Sequence, residues 1–298
     1  MSEFEYDKLS VDEKRLVQGI RGVEDGIRTL QKEYELAVFD LERKWSAKFK
    51  EAYERRFAYI SGTATPTAEQ ITAGEMKSRR LNSDYKVLPT LKGEAKPASL
   101  DNFWLNVLSN SHIESYIVET DVPALKHLIN IVLSYPSKAK APTPAFAIEF
   151  HFSPNAFFKN AKLKLTFYYK DEINAAGQLL YSHIAADKVN WKPKKNLVQK
   201  AAKNGQGSDD DEGDESFFSI FEPPSSITTP SAGGTANKND DFEKDMALTH
   251  AFDFGLELKR LVLPNAVDYL LGEAEGEYDD DDDDDDNWDE YSIGGESD

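Results

Sequence analysis

Apolar residues recur at helical spacing through the first part of the chain. No proline interrupts residues 11–60, and successive apolar positions are three or four residues apart: Leu16, Ile20, Val23, Ile27, Leu30, Tyr34, Ala37, Leu41 and Trp45. Such steps place the side chains along one side of an α-helix. The pattern therefore predicts a single helix of about fifty residues, roughly 70 Å long at 1.5 Å of rise per residue.

A helix of this length cannot bury its apolar seam within a small domain. A second copy of the helix would cover the seam, so we predict a homodimer in which the contacts are made by Leu16, Ile20, Val23, Ile27, Leu30, Tyr34, Leu41 and Trp45. The alternative is a helix that packs along its own domain. Gly19, Gly22 and Gly26 favour that alternative because each costs about 1 kcal/mol of helix propensity, unless they let two helices approach closely.

Turn-forming residues end this helix and introduce a second region. Residues 61–67 contain glycine and proline, and residues 68–80 are typical of a short accessory helix. We therefore divide the chain into a dimerisation helix over 1–61, a linker with an accessory helix over 62–99, and a domain over 100–272.

Alternating apolar and polar positions predict a sheet inside this domain. Residues 146–152 and 161–169 have a period of two and flank a turn-forming segment, which favours two antiparallel neighbouring strands. A run at 131–133 predicts another strand, and 179–184 and 189–191 are weaker candidates. Helix-like segments surround them, so the fold class is predicted to be α+β, with an antiparallel sheet covered by helices.

Two polar segments interrupt the domain, and an acidic one follows it. Composition predicts a disordered acidic loop at about 200–215 and a polar loop at about 225–241, on either side of an aromatic segment. Helical periodicity returns over 242–271, with Pro264 separating two helices. Residues 273–298 are predicted to be a disordered acidic tail.

The charge of the chain is concentrated in those segments. The formal net charge is −19, from 54 acidic and 35 basic residues. Fifteen acids and no Lys or Arg lie in residues 273–298, and six acids lie in 209–215, so the remainder is close to neutral. This distribution disfavours direct binding to nucleic acid or anionic membranes and favours basic partners, although a merely solubilising tail is the simpler alternative.

Candidate chemistry is sparse. The chain has no cysteine and none of the usual phosphate-loop, dinucleotide, zinc or nucleophile-elbow motifs. A run of eight aspartates outside a fixed loop holds Ca²⁺ only weakly. We therefore predict no cofactor and no metal, and a binding protein rather than an enzyme. The first ten residues lack a secretory core, and no apolar run is long enough to cross a bilayer. The five histidines show no ligand spacing: His112, His127, His151, His183 and His250.

Seven segments, in this order along the chain, resemble those of the nucleosome assembly protein (NAP/SET) family. They are KEYELAVFDLERKWSAKFKEAYERRFAYISG, DNFWLNVLSN, ALKHLINIVLSY, EFHFSPNAFFKN, VNWKPKKNLVQK, SFFSIFEPP and GLELKRLVLPNAVDYLLGEAEG. The resemblance covers nearly all of residues 10–286. The SFFSIFEPP segment and the acidic tail are more similar to the nucleosome assembly branch than to the SET branch.

The resemblance implies a fold, a function and partners. It implies a dimer of antiparallel long helices, each carrying an α+β domain, that binds core histones and assists nucleosome assembly and disassembly. It also implies nuclear import receptors as partners and a protein that shuttles between nucleus and cytoplasm. The family's basic hairpin is replaced here by spread lysines in 192–203. The alternatives are an acidic inhibitor of another enzyme such as a phosphatase, as in the SET branch, or a scaffold.

Charge density selects the candidate histone contacts. Exposed charges act over only about 8 Å at physiological salt, so clustered acids are the best candidates. They are Glu273, Glu275, Glu277, Asp279, Asp280, Asp281, Asp282, Asp283, Asp284, Asp285 and Asp286. Ser208, which precedes an acidic run, is a candidate phosphorylation site because acidophilic kinases favour such a setting.

Overall fold

The N-terminal rod is one α-helix, α1, spanning Val11–Ile60, which confirms the predicted helix. A capping box starts it: Glu13 N donates to the Ser10 hydroxyl, and the Glu13 carboxylate accepts from Ser10 N. Gly62 follows its end with a φ of +70°, and a Cβ atom there would lie 3.0 Å from the Ala98 carbonyl oxygen. The computed structural model describes residues 6–89, 98–137, 141, 143–204, 215–223 and 238–274.

Short helices connect α1 to the sheet. The predicted accessory helix is α2 (Ala68–Leu81), and α3 (Phe103–Ser109) buries five of its seven side chains. A 3₁₀ turn, His112–Tyr116, and the single-turn α4 (Val122–Leu125) lead into the first strand. This connection places α3 and α4 at the beginning of the sheet.

The sheet has four antiparallel strands in chain order. They are β1 (Leu128–Ser134), β2 (Ala145–Phe152), β3 (Lys162–Ile173) and β4 (Leu179–Ala186). The register pairs Ile148 with Leu165 across the central strands, so apolar side chains meet on one face. The predicted pairing of the two alternating segments is confirmed.

Helices and an aromatic turn cover one face of the sheet. They are α5 (Leu197–Asn204), a 3₁₀ turn (Phe217–Phe221), α6 (Lys238–Glu257), a π-helical turn (Leu258–Val262) and α7 (Ala266–Leu271). Within α6, a Cβ atom at Gly255 would lie 2.4 Å from the ring of Phe167, so only glycine permits this close approach. The Phe252 ring stacks on Tyr181 at 4.1 Å. The predicted α+β architecture is therefore confirmed, as is the break at Pro264.

Three sequence expectations differ from the structure. The segment 189–191 is not a strand: Trp191 forms one isolated bridge with Phe158, and the following proline prevents a longer ladder. Helix α5 continues to Asn204, so the first residues of the predicted acidic loop are helical. Helix α6 begins at Lys238 and includes the end of the predicted polar loop. Residues 205–214 and 225–237 of the two predicted loops lie outside the described residues.

Candidate dimerisation and partner-binding surfaces

One side of α1 contacts its own domain. Lys32 Nζ forms an ion pair with Asp171 Oδ2 at 2.9 Å, and Arg28 donates to the Asn174 carbonyl at 3.5 Å, both at the β3–β4 hairpin. Further along, Phe39 is buried with its ring edge against Tyr135 and Tyr169. This side holds the middle and the C-terminal half of α1 to the sheet domain.

A different side of α1 carries the predicted dimerisation residues. Because successive residues turn by about 100° around a helix, these positions lie roughly a third of a turn from the side facing the domain. Each side chain is between 45 and 66% exposed in the single chain: Leu16, Ile20, Val23, Ile27, Leu30, Tyr34, Leu41 and Trp45. Phe49, which the sequence pattern did not include, is 51% exposed and extends the row. We call these nine residues the seam.

The C-terminal end of the seam borders a large groove. The cavity has a volume of about 920 Å³ and lies between α1 and the edge strand β1. Trp45, Phe49 and Tyr53 line one wall, and Ile131 and Leu133 line the other. An apolar groove continuous with an exposed apolar seam can receive an apolar helix.

An ion pair between a buried lysine and a partly exposed glutamate fixes α1 above the sheet next to this groove. Lys259 Nζ, on the π-helical turn, lies 2.5 Å from Glu42 Oε2 on α1. The ammonium group also faces the rings of Phe39, Tyr135 and Phe146 at 5.2 to 5.8 Å from their centroids. Burial lowers the pKa of Lys259, and Glu42 opposes that shift. Sequence reasoning missed Lys259, since a lone lysine in a helical pattern is usually exposed.

A second buried carboxylate anchors the aromatic 3₁₀ turn. Asp121 Oδ1 accepts from the Ser216 hydroxyl at 2.7 Å, and Asp121 Oδ2 accepts from Phe217 N at 2.6 Å. Burial raises the pKa of Asp121, while these hydrogen bonds lower it. Phe217 and Phe221 then pack their edges against Phe150 of β2. The 3₁₀ turn is thus held to the sheet domain directly after the acidic segment 209–215.

Most of the predicted charged contacts lie outside the described residues. Glu273 is partly buried, and its backbone N–H donates to the Asp268 carbonyl at 2.8 Å just after α7. The candidate phosphorylation site Ser208 and ten of the candidate histone contacts lie in the undescribed parts: Glu275, Glu277, Asp279, Asp280, Asp281, Asp282, Asp283, Asp284, Asp285 and Asp286. These assignments stay predictions.

The histidines are dispersed in the structure as they are in the sequence. His112 Nδ1 lies 3.8 Å from Glu257 Oε1, and His151 Nε2 lies 3.3 Å from Glu149 Oε2. The Tyr168 ring stacks on His183 at 4.4 Å. Within the described ranges, no three His, Asp or Glu side chains are grouped so that they could hold a metal ion.

Fold and surfaces together define a class: an α+β domain attached to a long helical rod that exposes an apolar seam. A model of the nucleosome assembly protein (NAP) family matches residues 15–273. The chain belongs to the nucleosome assembly protein family, as the resemblance implied.

Individual relatives agree with this assignment. Nucleosome assembly protein 1-like 1 of Xenopus tropicalis is 30% identical over 288 residues, covering 90% of this chain and 71% of the relative. Nucleosome assembly protein 1-like 4 of Homo sapiens is 28% identical, covering 88% and 74%. The structure of nucleosome assembly protein 1 from Plasmodium knowlesi has the same fold, with a TM-score of 0.53 and 23% identity over 89% of this chain and 99% of that one.

Proposed function

We propose that the protein is a homodimeric histone chaperone that binds core histones and assists nucleosome assembly and disassembly. The match to the nucleosome assembly protein family over residues 15–273 carries this proposal. The names of the curated relatives favour it over an inhibitor of another enzyme. The proposed role is binding rather than catalysis, with no cofactor.

The exposed seam supports a dimer with a specific antiparallel register. A two-fold axis near Lys32 pairs Leu30 with Tyr34, Val23 with Leu41, Ile20 with Trp45 and Leu16 with Phe49. The small aliphatic half of one seam then faces the aromatic half of the other and enters the groove beside β1. The ninth seam residue, Ile27, lies opposite Ala37, so all nine positions are covered in this arrangement.

Glycines on the N-terminal half fit the same register. Gly19 and Gly26 flank the seam, and apart from the adjacent backbone of α1 no atom of the single chain lies within 4 Å of a Cβ atom placed at either. With the axis near Lys32, Gly19 lies opposite the partner's Trp45, where a missing side chain leaves room for the indole. Gly22 points away from the seam.

The acidic tail supplies the proposed histone contact. Histones hold DNA through Lys and Arg, with affinity drawn largely from the release of counterions, so a free histone also binds DNA in unproductive arrangements. A tethered run of eight aspartates at 279–286 competes for those side chains at high local concentration. Histone charge is thereby shielded from DNA until the histone is deposited.

The proposed cellular setting follows from the partners. Histones are handled on both sides of the nuclear envelope, so we propose that the protein occurs in nucleus and cytoplasm and meets nuclear import receptors. Direct binding to nucleic acid or to a membrane is not part of the proposal. In the described parts of the chain, no helix combines the length and the apolarity that crossing a membrane would need.

The test is salt-dependent binding of core histone complexes. The full chain is compared with a variant of equal length in which residues 279–286 are changed from Asp to Asn, and light scattering gives molar mass in parallel. We expect a dimer that binds histones, and weaker binding with a shallower salt dependence for the variant. No binding by the full chain at physiological salt would refute the proposal, whereas equal binding by both chains would assign the contact to the folded surface.

A further inference from the structure

Four lysines are exposed where the β2–β3 loop meets the segment after β4. We call Lys159, Lys188, Lys194 and Lys195 the lysine surface. Backbone hydrogen bonds join the two segments: Lys159 N donates to the Asn190 carbonyl at 3.0 Å, and Lys192 N donates to the Phe157 carbonyl at 2.8 Å. Residues about thirty positions apart in sequence are thereby brought onto one stretch of surface.

Side chains make this junction rigid. Asn160 Nδ2 donates to the Lys188 carbonyl at 3.2 Å, and Asn160 Oδ1 accepts from Asn190 N at 2.7 Å. Lys192 Nζ is used internally, donating to the Asn155 carbonyl at 2.6 Å. Lys194 has a φ of +61°, a left-handed conformation that is unfavourable for lysine unless its surroundings hold it. The lysine surface is therefore a built feature of the fold.

The charges of this surface are not neutralised nearby. Among the described residues, no carboxylate forms an ion pair with Lys159, Lys188 or Lys194, and the Lys195 ammonium lies 5.6 Å above the Phe157 ring. Asp187, next to Lys188 in sequence, accepts from a backbone N–H of β3 and keeps its negative charge, so one acid stands against four lysines here. An exposed surface with an excess of positive charge, on a chain of net charge −19, indicates an anionic ligand.

We propose that this ligand is the chain's own C-terminal segment, residues 275–298, which would dock on the lysine surface when no histone is bound. The acids of this segment match the lysines in charge. Because the segment is covalently attached, its effective concentration at the surface is in the millimolar range, as for other short flexible tethers. Its twenty-four residues span at most about 80 Å when extended, which exceeds the width of a domain of this size.

The attachment point lies on the appropriate side of the domain. Asn110, just after α3, donates to the Tyr269 carbonyl of α7 at 2.9 Å. The β2–β3 loop adjoins the start of β1, since Ser153 N donates to the His127 carbonyl at 2.9 Å. The end of α7 is therefore linked to the β2–β3 loop through α3 and the beginning of β1, which contact each other. A free nucleic acid would be repelled by the overall negative charge, whereas a tethered segment is not lost to solution.

Docking would keep the acids of the segment from binding other partners. The segment would leave the lysine surface only for a partner that binds it more tightly, so weakly basic proteins would be excluded. This consequence rests on the proposed histone binding. The docking itself involves no histone, and its test is independent of that proposal.

The test measures the acylation rate of each lysine by a succinimidyl ester, followed by mass spectrometry of the full chain without histones. The comparison is the variant in which residues 279–286 are Asn. We expect Lys159, Lys188 and Lys194 to react several-fold faster in the variant, because a tethered segment that is docked most of the time shields them from the reagent. Three exposed control lysines should react equally in both chains: Lys86, Lys170 and Lys244.

A second measurement examines the same contact from the acidic segment. In K159Q/K188Q/K194Q, cleavage after Glu275 and Glu277 by a glutamate-specific protease should become several-fold faster than in the parent, whereas K86Q/K170Q/K244Q should match the parent. Equal lysine rates in the parent and the Asn variant would overturn the proposal. The proposal would also be overturned if protection of the lysines required added duplex DNA, or if it depended on residues 209–214 instead of the C-terminal segment.

Discussion

The two halves of α1 have the same secondary structure but different surroundings. In the C-terminal half, Phe39, Glu42 and Ile60 connect the helix to the sheet domain through a buried ring, an ion pair and a buried end. In the N-terminal half, no residue before Phe39 is buried, and the seam is exposed. The C-terminal half is held by buried contacts with its own domain. The N-terminal half contacts the domain through the polar side chains of Arg28 and Lys32, and it needs a partner to bury its apolar side chains.

The largest expected effect is on the N-terminal half of α1. Ile27→Asp together with Leu30→Asp places charges in the proposed interface, and burying unpaired carboxylates is far more costly than leaving the dimer open. We expect a monomer at micromolar concentration by light scattering and fast amide exchange before residue 36. Thr29→Asp, on the opposite side of the helix, is the control. A dimer that survives the double change would place the interface elsewhere.

The next effect concerns the half that is held by the domain. Glu42→Leu leaves Lys259 buried without its partner and should lower the free energy of unfolding by about 3 kcal/mol. Lys259→Met should cost less, because Glu42 is partly exposed and can turn toward water. Lys77→Met removes an exposed ion pair with Asp268 and should cost about 1 kcal/mol or less. Urea unfolding gives all three values, and equal losses would show that the ion pair contributes little.

A smaller effect tests the proposed register of the two antiparallel helices in the dimer. Gly19→Leu with Gly26→Leu adds side chains beside the seam, where the proposed register needs room for the partner's Trp45. We expect dimer dissociation to become easier by about 1 to 2 kcal/mol, despite the gain in helix propensity. Sedimentation at several concentrations measures it. Gly22→Leu is the matched control, and a tighter dimer from the double variant would exclude this register.

The smallest expected effect is a gain in the stability of α1. Gly22 lies away from the seam, and no atom lies within 4 Å of a Cβ atom placed there. Gly22→Ala should therefore stabilise the exposed half of α1 by up to about 1 kcal/mol without a change in dimer affinity. Slower amide exchange around residue 22, at unchanged molar mass, is the expected result. Unchanged exchange would mean that the helix there is already fully stabilised by the partner.

Local patterns predicted the fold where neighbours in sequence determine the structure. The bounds of α1 were predicted almost to the residue, because no proline interrupts residues 11–60 and glycine and proline follow in 61–67. Strands β2 and β3 were predicted because their alternation is regular. The segment 189–191 was predicted wrongly, since its apolar residues serve a single bridge from Trp191 to Phe158.

The surfaces depend on contacts between distant segments and were only partly predictable. The seam follows from spacing alone, except for Phe49, where the regular steps end. The Lys259–Glu42 pair joins residues more than two hundred positions apart, and the lysine surface depends on Asn160 meeting Asn190. No pattern within a single element contains that information.

The capping box at Ser10 and the glycine after Ile60 give α1 a definite length. Fifty helical residues span about 75 Å. Adding or removing a turn of a capped helix is costly because the cap's hydrogen bonds would be lost. In the proposed antiparallel pair, the number of α1 residues between the axis near Lys32 and the domain contacts at Phe39 and Glu42 sets the separation of the two domains. A binding partner that touches both domains at once is then selected by its width. Inserting one heptad into α1 on each side of the axis would move the domains apart and favour a wider partner.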